Sequence, residues 1–274
     1  MVVVAKIEES RAVEAAPNGL PRLITKDVLW TGGCLDLMFK GEVVHSHFNN
    51  YIIRGKNKIL MIDTGHPIHR PEIEKALDSF LEGRSVDYIF PTHPELPHCG
   101  LLPTWLDRFP EAKVVGSLKD YRLYYPAYES RFVDLKIGDT VDLGDRRVII
   151  LPAIWGDLAN TCWAFDTGDR VLFVSDAYAL IHAHKPGHCG LMTGEHETPD
   201  QEHLQMLNKL TLQWMPFHDV SKSYAELDTL LAAVEPRFIA PAHGAVVDEP
   251  GKMTALLQDA LAKTFMSTVL KPGV

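Results

Sequence analysis

The most constraining feature of this sequence is the segment from residue 90 to residue 100, where an apolar run gives way abruptly to polar side chains. The run from Val86 to Phe90 is typical of a short buried strand. Side chains of the types that bind zinc, iron or manganese follow it closely: His93, Glu95 and His98. Such side chains directly after a buried strand favour a metal-binding loop. A proline-rich turn with polar tips is the plainer alternative.

The segment resembles the signature of the metallo-β-lactamase superfamily, Thr-His-x-His-x-Asp-His-x-Gly. Four positions keep that frame: Thr92, His93, His98 and Gly100. Glu95 stands where the signature has its second histidine, and in this it resembles the flavodiiron and oxygen-binding diiron branch, which carries His-x-Glu-x-Asp-His. Pro97 departs from both patterns, because it replaces the aspartate and its side chain cannot bind a metal.

Three further landmarks of the superfamily follow the family's order, so the resemblance spans roughly residues 45–248. They are Asp63-Thr64-Gly65, Ser175-Asp176 and Ala242-His243-Gly244. The resemblance implies that Asp63 braces the metal loop without binding metal, that Asp176 is a bridging ligand and that His243 binds the second metal. A turn residue at a strand end is the plainer alternative for Asp176. The implied ligand set is His93, Glu95, His98, Asp176 and His243.

A second ligand position of the family is vacant near residue 154. Diiron relatives carry a His-Trp-Pro-Asp-like stretch here, and matching it to Trp155 and Asp157 puts Ile154 at the ligand position. Three residues are candidates to replace a lost ligand or to act in catalysis beside the metal: Asp157, His182 and His184. Both histidines lie in residues 178–197, a segment rich in His and Gly. We interpret it either as a lid over the site or as a solvated surface loop.

The pattern of elements predicts an α/β fold, since strands alternate with helices. The resemblance makes this an αββα four-layer sandwich, with two mixed β-sheets flanked by helices. We expect a single domain over residues 21–274 after an N-terminal arm of residues 1–20. Amphipathic periodicity predicts helices over residues 71–81, 101–109, 118–125, 199–212, 223–234 and 252–270. Strands ending at Asp63, Phe90, Asp176 and Ala242 should share one edge of the molecule.

Composition limits the classes of partner. The net charge of −9 argues against general binding to a nucleic-acid backbone. No apolar stretch approaches the ~20 residues that span a bilayer, and the N-terminus lacks the pattern of a signal peptide. We therefore expect a cytoplasmic protein without membrane contact, with a homodimer or a partner subunit as the open alternatives. The scattered cysteines argue against a disulfide framework or a zinc ribbon: Cys34, Cys99, Cys162 and Cys189.

These observations support a metal-dependent protein with one or two divalent ions. Glu95 in place of a histidine favours iron, with zinc or manganese as alternatives. The main hypothesis is a non-heme diiron-type enzyme with O2-linked redox chemistry or oxygen binding. The first alternative is a hydrolase of a small ester, lactone or activated aromatic substrate that uses a metal-bound hydroxide. The second is a degenerate partner subunit of a metalloenzyme complex.

Overall fold

The computed structural model describes residues 19–185, 187–196 and 198–269. One mixed sheet contains seven strands in chain order. Its strands β1 to β4 are antiparallel to one another, and β4 to β7 are parallel. They are β1 (Arg22–Thr25), β2 (Val28–Phe39), β3 (Glu42–Arg54), β4 (Ile59–Ile62), β5 (Tyr88–Phe90), β6 (Lys113–Gly116) and β7 (Phe132–Asp134).

The second sheet has five strands in the order β12-β11-β10-β9-β8. They are β8 (Thr140–Asp142), β9 (Arg147–Pro152), β10 (Cys162–Asp166), β11 (Val171–Phe173) and β12 (Phe238–Ala240). Only the β11–β12 pair is parallel. The helices are α1 (Arg70–Phe80), α2 (Leu96–Cys99), α3 (Leu102–Arg108), α4 (Lys119–Tyr124), α5 (Gln201–Thr211), α6 (Ser221–Val234) and α7 (Pro250–Val269).

Side-chain alternation along the strands produces the layers. On β4, Leu60 and Ile62 belong to the core between the two sheets, whereas Met61 packs under α1, α3 and α4. On β9, Val148 faces the same inner core, and Ile149 packs toward α5, α6 and α7. Each sheet thus buries one face against the other sheet and the second face against helices. The predicted αββα sandwich is confirmed, and each predicted helix has a counterpart within a few residues.

Two features differ from the sequence-based expectation. Strands β1 and β2 were not predicted, because the glycine pair at residues 32–33 interrupts the apolar pattern of β2. Gly32 has a φ of +110°, and a Cβ there would lie 2.0 Å from the Phe48 carbonyl oxygen. Asp176 does not end a strand: β11 stops at Phe173, and Ser175 turns the chain with a φ of 51°.

The predicted N-terminal arm lies outside the described residues except for residues 19–20, so the domain boundaries remain predictions. Among the described residues, no helix combines the length and the apolar character that crossing a bilayer requires.

Candidate metal centre

Sheet topology brings the candidate ligands to one edge of the sandwich. Strands β4 and β5 are parallel neighbours, as are β11 and β12, so their carboxyl ends meet at the same side. Backbone hydrogen bonds fix the loops that follow. The Asp63 N–H donates to the Phe90 carbonyl at 3.0 Å, and the Ala242 N–H donates to the Ser175 carbonyl at 2.8 Å. The Cys162 N–H joins the second sheet to the ligand loop by donating to the Thr92 carbonyl at 3.0 Å.

Asp176 lies at the centre of this group. Its Oδ1 is 3.0 Å from His98 Nε2 and 3.4 Å from His243 Nε2. Its Oδ2 points the other way, 3.8 Å from His93 Nε2. The two oxygens of one buried carboxylate therefore face two different sets of imidazoles. This arrangement suits a carboxylate shared between two adjacent ion positions.

Three atoms of this group are buried and form no hydrogen bond of acceptable geometry among the described residues: His93 Nε2, His98 Nε2 and Asp176 Oδ1, the last two lying 3.0 Å apart. Both imidazoles are completely buried. A buried polar atom without a partner costs about 1–3 kcal/mol, so such atoms need an explanation. These three all belong to one group whose ligand atoms lie within 4.8 Å of one another. A cation bound among them would satisfy all three, and the donor set fits a transition-metal ion.

Two further carboxylates border the His93 side of the group. Glu95 Oε2 is 3.7 Å from His93 Nε2, and its side chain is 51% exposed. Asp157 Oδ1 is 3.2 Å from His93 Nδ1 and accepts a hydrogen bond from Thr161 Oγ1 at 3.0 Å. Glu95, Asp157 and Asp176 line a cavity of about 410 Å³. This side of the group is therefore open to small molecules.

Each histidine is oriented through its second ring nitrogen. Asp63 Oδ2 lies 2.9 Å from His98 Nδ1, and Ser175 Oγ lies 3.0 Å from His93 Nδ1. His243 Nδ1 lies 2.9 Å from the carbonyl oxygen of His47. Contacts of this kind fix the ring and leave Nε2 as the free nitrogen.

Thr92 connects these supports. Its N–H donates to Asp63 Oδ1 at 2.7 Å, and its hydroxyl lies 3.1 Å from Asp63 Oδ2 and 2.9 Å from Ser175 Oγ. The sequence identified Thr92 only as a position of the metallo-β-lactamase signature and assigned no role to Ser175. The signal available in the sequence was their position, each one residue before a candidate ligand.

Without a bound cation, the carboxylates and imidazoles of the centre shift each other's pKa. Burial opposes a positive charge on His98, but Asp63 and Asp176 outweigh it and raise the pKa of the imidazole well above its usual range. Burial likewise opposes ionisation of Asp176, yet His98 and His243 hold the pKa of this carboxyl below its usual range. The carboxylates thus retain protons on the imidazoles, and a divalent cation would replace those protons.

The two positions without a family ligand have structural explanations. Pro97 occupies the first turn of α2, where a proline costs no helical hydrogen bond. Ile154 packs against the apolar layer beneath α5, α6 and α7. Asp157, three residues later, reaches the site.

The other two replacement candidates lie elsewhere. His182 and His184 group with Cys34, His45 and His47, and neither is among the groups of ligand atoms that contain His93 or Asp176. Of the three candidates, Asp157 is the one whose ligand atoms group with those of His93 and Asp176.

The turn that carries His243 is held from β3. Asn49 Nδ2 donates to the carbonyls of Pro241 and Gly244 at 2.8 and 2.7 Å, and Tyr51 donates to the Pro241 carbonyl at 2.6 Å. Gly244 has a φ of +108°, and a Cβ there would lie 2.8 Å from the Leu180 backbone nitrogen. The glycine after His243 is thus required for close approach of the 176–182 loop.

Comparison with known proteins agrees with this architecture. A family model described as ODP family beta lactamase matches residues 46–244. The coenzyme F420H2 oxidase of Methanothermobacter marburgensis is 26% identical over 242 residues, 84% of this chain and 58% of that protein. The anaerobic nitric oxide reductase flavorubredoxin of Salmonella typhi is 31% identical over 143 residues, 48% of this chain and 28% of that protein.

Solved structures show the same fold. Rubredoxin oxygen:oxidoreductase from Desulfovibrio gigas has a TM-score of 0.68 at 19% identity, over 92% of this chain and 62% of its own. The flavodiiron protein of Giardia intestinalis has a TM-score of 0.67 at 15% identity, over 95% of this chain and 60% of its own. The chain belongs to the ODP family of beta lactamases, in the flavodiiron branch of the metallo-β-lactamase superfamily. The predicted family is confirmed. The chain spans 58% and 28% of the two sequence relatives.

Proposed function

We propose that this chain is the metal-binding domain of an oxidoreductase whose non-heme diiron-type centre binds and reduces dioxygen. The observation that carries the proposal is the set of buried, unpartnered atoms on His93, His98 and Asp176. They lie beside the further carboxylates of Glu95 and Asp157. Carboxylate oxygens make this donor set harder than that of a typical zinc site and favour iron or manganese.

The two oxygens of Asp176 divide the ligands into two sets. On one side, His93 and Glu95 lie near Oδ2. On the other, His98 and His243 lie near Oδ1. One or two ions can be held in this way. Iron bound here would supply the electron-transfer chemistry that dioxygen reduction requires.

The protein contributes orientation and controlled access. Asp63, Thr92 and Ser175 hold the His93 and His98 rings, so their Nε2 atoms stay directed at Asp176 without reorganisation. The cavity beside Glu95 and Asp157 admits a small molecule to the open side. Its wall also includes Leu158 and Trp214.

We further propose that a flavin- or rubredoxin-type donor supplies the electrons. Relatives of this chain bear the names flavorubredoxin and rubredoxin oxygen:oxidoreductase. The exposed carboxylate of Glu95 marks the side of the centre that such a donor can approach.

A single-turnover experiment tests the main proposal. The full chain is prepared without chelator under anaerobic conditions and loaded with ferrous iron, and the excess is removed. We expect at least one iron ion per chain, a visible absorption change on mixing with oxygen, and oxygen uptake proportional to bound iron. Asp176→Asn should lose most of both signals with unchanged far-ultraviolet circular dichroism.

The alternatives give different results. Retained zinc with turnover of ester or lactone substrates, and no oxygen uptake by the iron-loaded chain, would establish a hydrolase. A chain that holds no metal after either loading would fit a degenerate partner subunit. Either result contradicts the proposal.

A further inference from the structure

A second group of metal-ligand side chains lies apart from the candidate metal centre. We call it the Cys34 cluster, and it consists of Cys34, His45, His47, His182 and His184. Within it, the ligand atoms of Cys34, His47 and His182 lie within 4.8 Å of one another. Those of Cys34, His45 and His184 do the same.

The strand register explains how these residues meet. Cys34 on β2 lies directly opposite His47 on β3, so the two side chains share one face of the hairpin. His45, two residues earlier on β3, points to that face as well. The loop is joined to the hairpin by an isolated bridge between His45 and His182, with N–H···O distances of 2.8 and 2.9 Å. This bridge places His182 and His184 over the cysteine.

The distances suit ligands of one small ion. The Cys34 Sγ atom is 3.1 Å from His184 Nε2. The His47 and His182 rings stack at 4.7 Å, and the His182 and His184 rings at 5.1 Å. Ligand atoms around a tetrahedral zinc ion are about 3.3–3.8 Å apart, given metal–ligand bonds of about 2.0–2.3 Å. The ligand atoms of Cys34, His47 and His182 lie within 4.8 Å of one another, so side-chain rotations must bring them closer to reach that geometry.

Buried nitrogen atoms in the cluster have no hydrogen-bond partner among the described residues. They are Nδ1 of His47 and both ring nitrogens of His182. A neutral imidazole always carries one N–H donor and one acceptor, so His182 leaves both unsatisfied. A completely unsatisfied buried imidazole is costly unless something binds it. A metal ion would use the lone pairs that the protein leaves free.

The cluster is separate from the candidate metal centre. His47 points into the cluster, whereas Phe48, the next residue of β3, points to the opposite face. The Phe48 ring lies 5.3 Å from the His243 ring of the centre. The groups of ligand atoms at the centre contain no cysteine among the described residues. A metal–sulfur signal therefore reports on the cluster alone.

We propose that Cys34, His47 and His182 bind a transition-metal ion of the zinc class. His184, whose Nε2 is 3.1 Å from Cys34 Sγ, would have to move closer to His47 and His182 to complete the shell. Thiolate and imidazole together are the donor set of four-coordinate zinc. On binding, the Cys34 thiol releases its proton to solvent and its sulfur lone pair forms the bond to the metal. A cavity of about 300 Å³ borders His182.

The expected role of this ion is to hold the 177–185 loop against the β2–β3 hairpin. That loop also supports the centre, because the Leu180 N–H donates to the His243 carbonyl at 3.2 Å. Zinc-class metal at the cluster would therefore stabilise the turn that carries His243 without contacting the iron ligands.

The test uses cobalt as a spectroscopic probe of the full chain. The protein is stripped of metal, kept reduced and anaerobic, and titrated with Co²⁺. We expect a near-ultraviolet thiolate-to-cobalt band that saturates at one equivalent and disappears on adding Zn²⁺. Cys34→Ala should abolish this band, and His182→Ala should weaken Co²⁺ binding at least about tenfold. The matched controls, Cys162→Ala and His218→Ala, should leave the titration unchanged.

X-ray absorption of the zinc-loaded wild-type chain provides a test that needs no variant. One sulfur ligand at about 2.3 Å with nitrogen ligands at about 2.0–2.1 Å is the expected shell. A zinc shell without sulfur, the absence of the cobalt–thiolate band in the wild-type chain, or its persistence in Cys34→Ala would each overturn the proposal. Iron loading of the Cys34→Ala chain distinguishes the Cys34 cluster from the candidate metal centre, because the iron content should stay at the wild-type level.

Discussion

The candidate metal centre and the Cys34 cluster lie on opposite faces of strand β3, and they differ in how their imidazoles are supported. At the centre, the second nitrogen of each histidine contacts a carboxylate, a hydroxyl or a carbonyl: Asp63 for His98, Ser175 for His93 and the His47 carbonyl for His243. In the cluster, both nitrogens of His182 lack such a partner among the described residues. His47 and His184 do have such contacts, to the carbonyl oxygens of Cys189 and Lys185 at 2.5 and 2.8 Å, so the difference between the two regions rests on His182.

The two regions also differ in donor chemistry. Carboxylates border the centre, whereas the Cys34 cluster offers one sulfur and several imidazoles. A carboxylate next to the cluster is that of Asp36, whose Oδ1 is 2.9 Å from His45 Nδ1 and whose side chain is 77% exposed. We therefore expect hard ions such as iron to bind at the centre and borderline-soft ions such as zinc to bind at the cluster, on the opposite face of the hairpin. Four predictions test this separation.

Replacing Asp176 with alanine should have the largest effect. Both oxygens face imidazoles of the centre, so the variant should lose most of its bound iron. The core between the sheets does not include Asp176, so circular dichroism should be unchanged. Metal analysis after iron and zinc loading measures the effect. The exposed Asp78→Ala is the matched control, and equal iron in the two variants would contradict the assignment.

Replacing Asp63 with asparagine should weaken iron binding without removing a ligand. Asp63 orients His98 and also accepts the Thr92 N–H, so its charge and its geometry both act on the centre. Loss of such a support typically costs about 10–100-fold in metal affinity. Competition with a chelator of known affinity measures the change. Cobalt binding at the Cys34 cluster should stay the same, and a parallel loss there would indicate general damage to the fold.

Asp157→Asn should change iron binding at the centre, and His182→Ala should change cobalt binding at the Cys34 cluster. Asp157 lies 3.2 Å from His93, so its variant should lower iron affinity or iron stoichiometry at the centre. His182 belongs to the other face, so its variant should affect only the cobalt–thiolate signal. A fall in iron stoichiometry would identify Asp157 as a ligand, whereas weaker binding at full stoichiometry would identify it as a support for His93. Loss of iron in His182→Ala would show that the two sites are not separate.

Replacing Asp36 with asparagine should have the smallest effect. Its carboxylate is close to His45 but largely exposed, so water and salt screen its field. We expect less than about a twofold change in Co²⁺ affinity at moderate ionic strength. A larger change that persists at high salt would make Asp36 a direct participant in the cluster.

The Cys34 cluster also shows where sequence reasoning stopped. Cys34 and the pair His45 and His47 come from strands whose register no sequence motif encodes, and β2 itself was not predicted. The alternation His45-x-His47 was the available signal, since it puts both imidazoles on one face of a strand. Recognising Cys34 as their neighbour requires the hairpin register, which depends on the glycine pair in β2.

The sequence by itself determined the layered fold, the family, and the edge of the sandwich where His93, His98, Asp176 and His243 meet. Local periodicity and short motifs encode these features, because strand ends and ligand loops are contiguous in the chain. Only the tertiary structure separated Asp157 from His182 and His184. That choice depends on which side of β3 the 177–185 loop covers, and this is set by a bridge between residues far apart in sequence. Pairing between segments this far apart cannot be predicted from the local sequence, since the sequence of each strand alone is compatible with more than one neighbour.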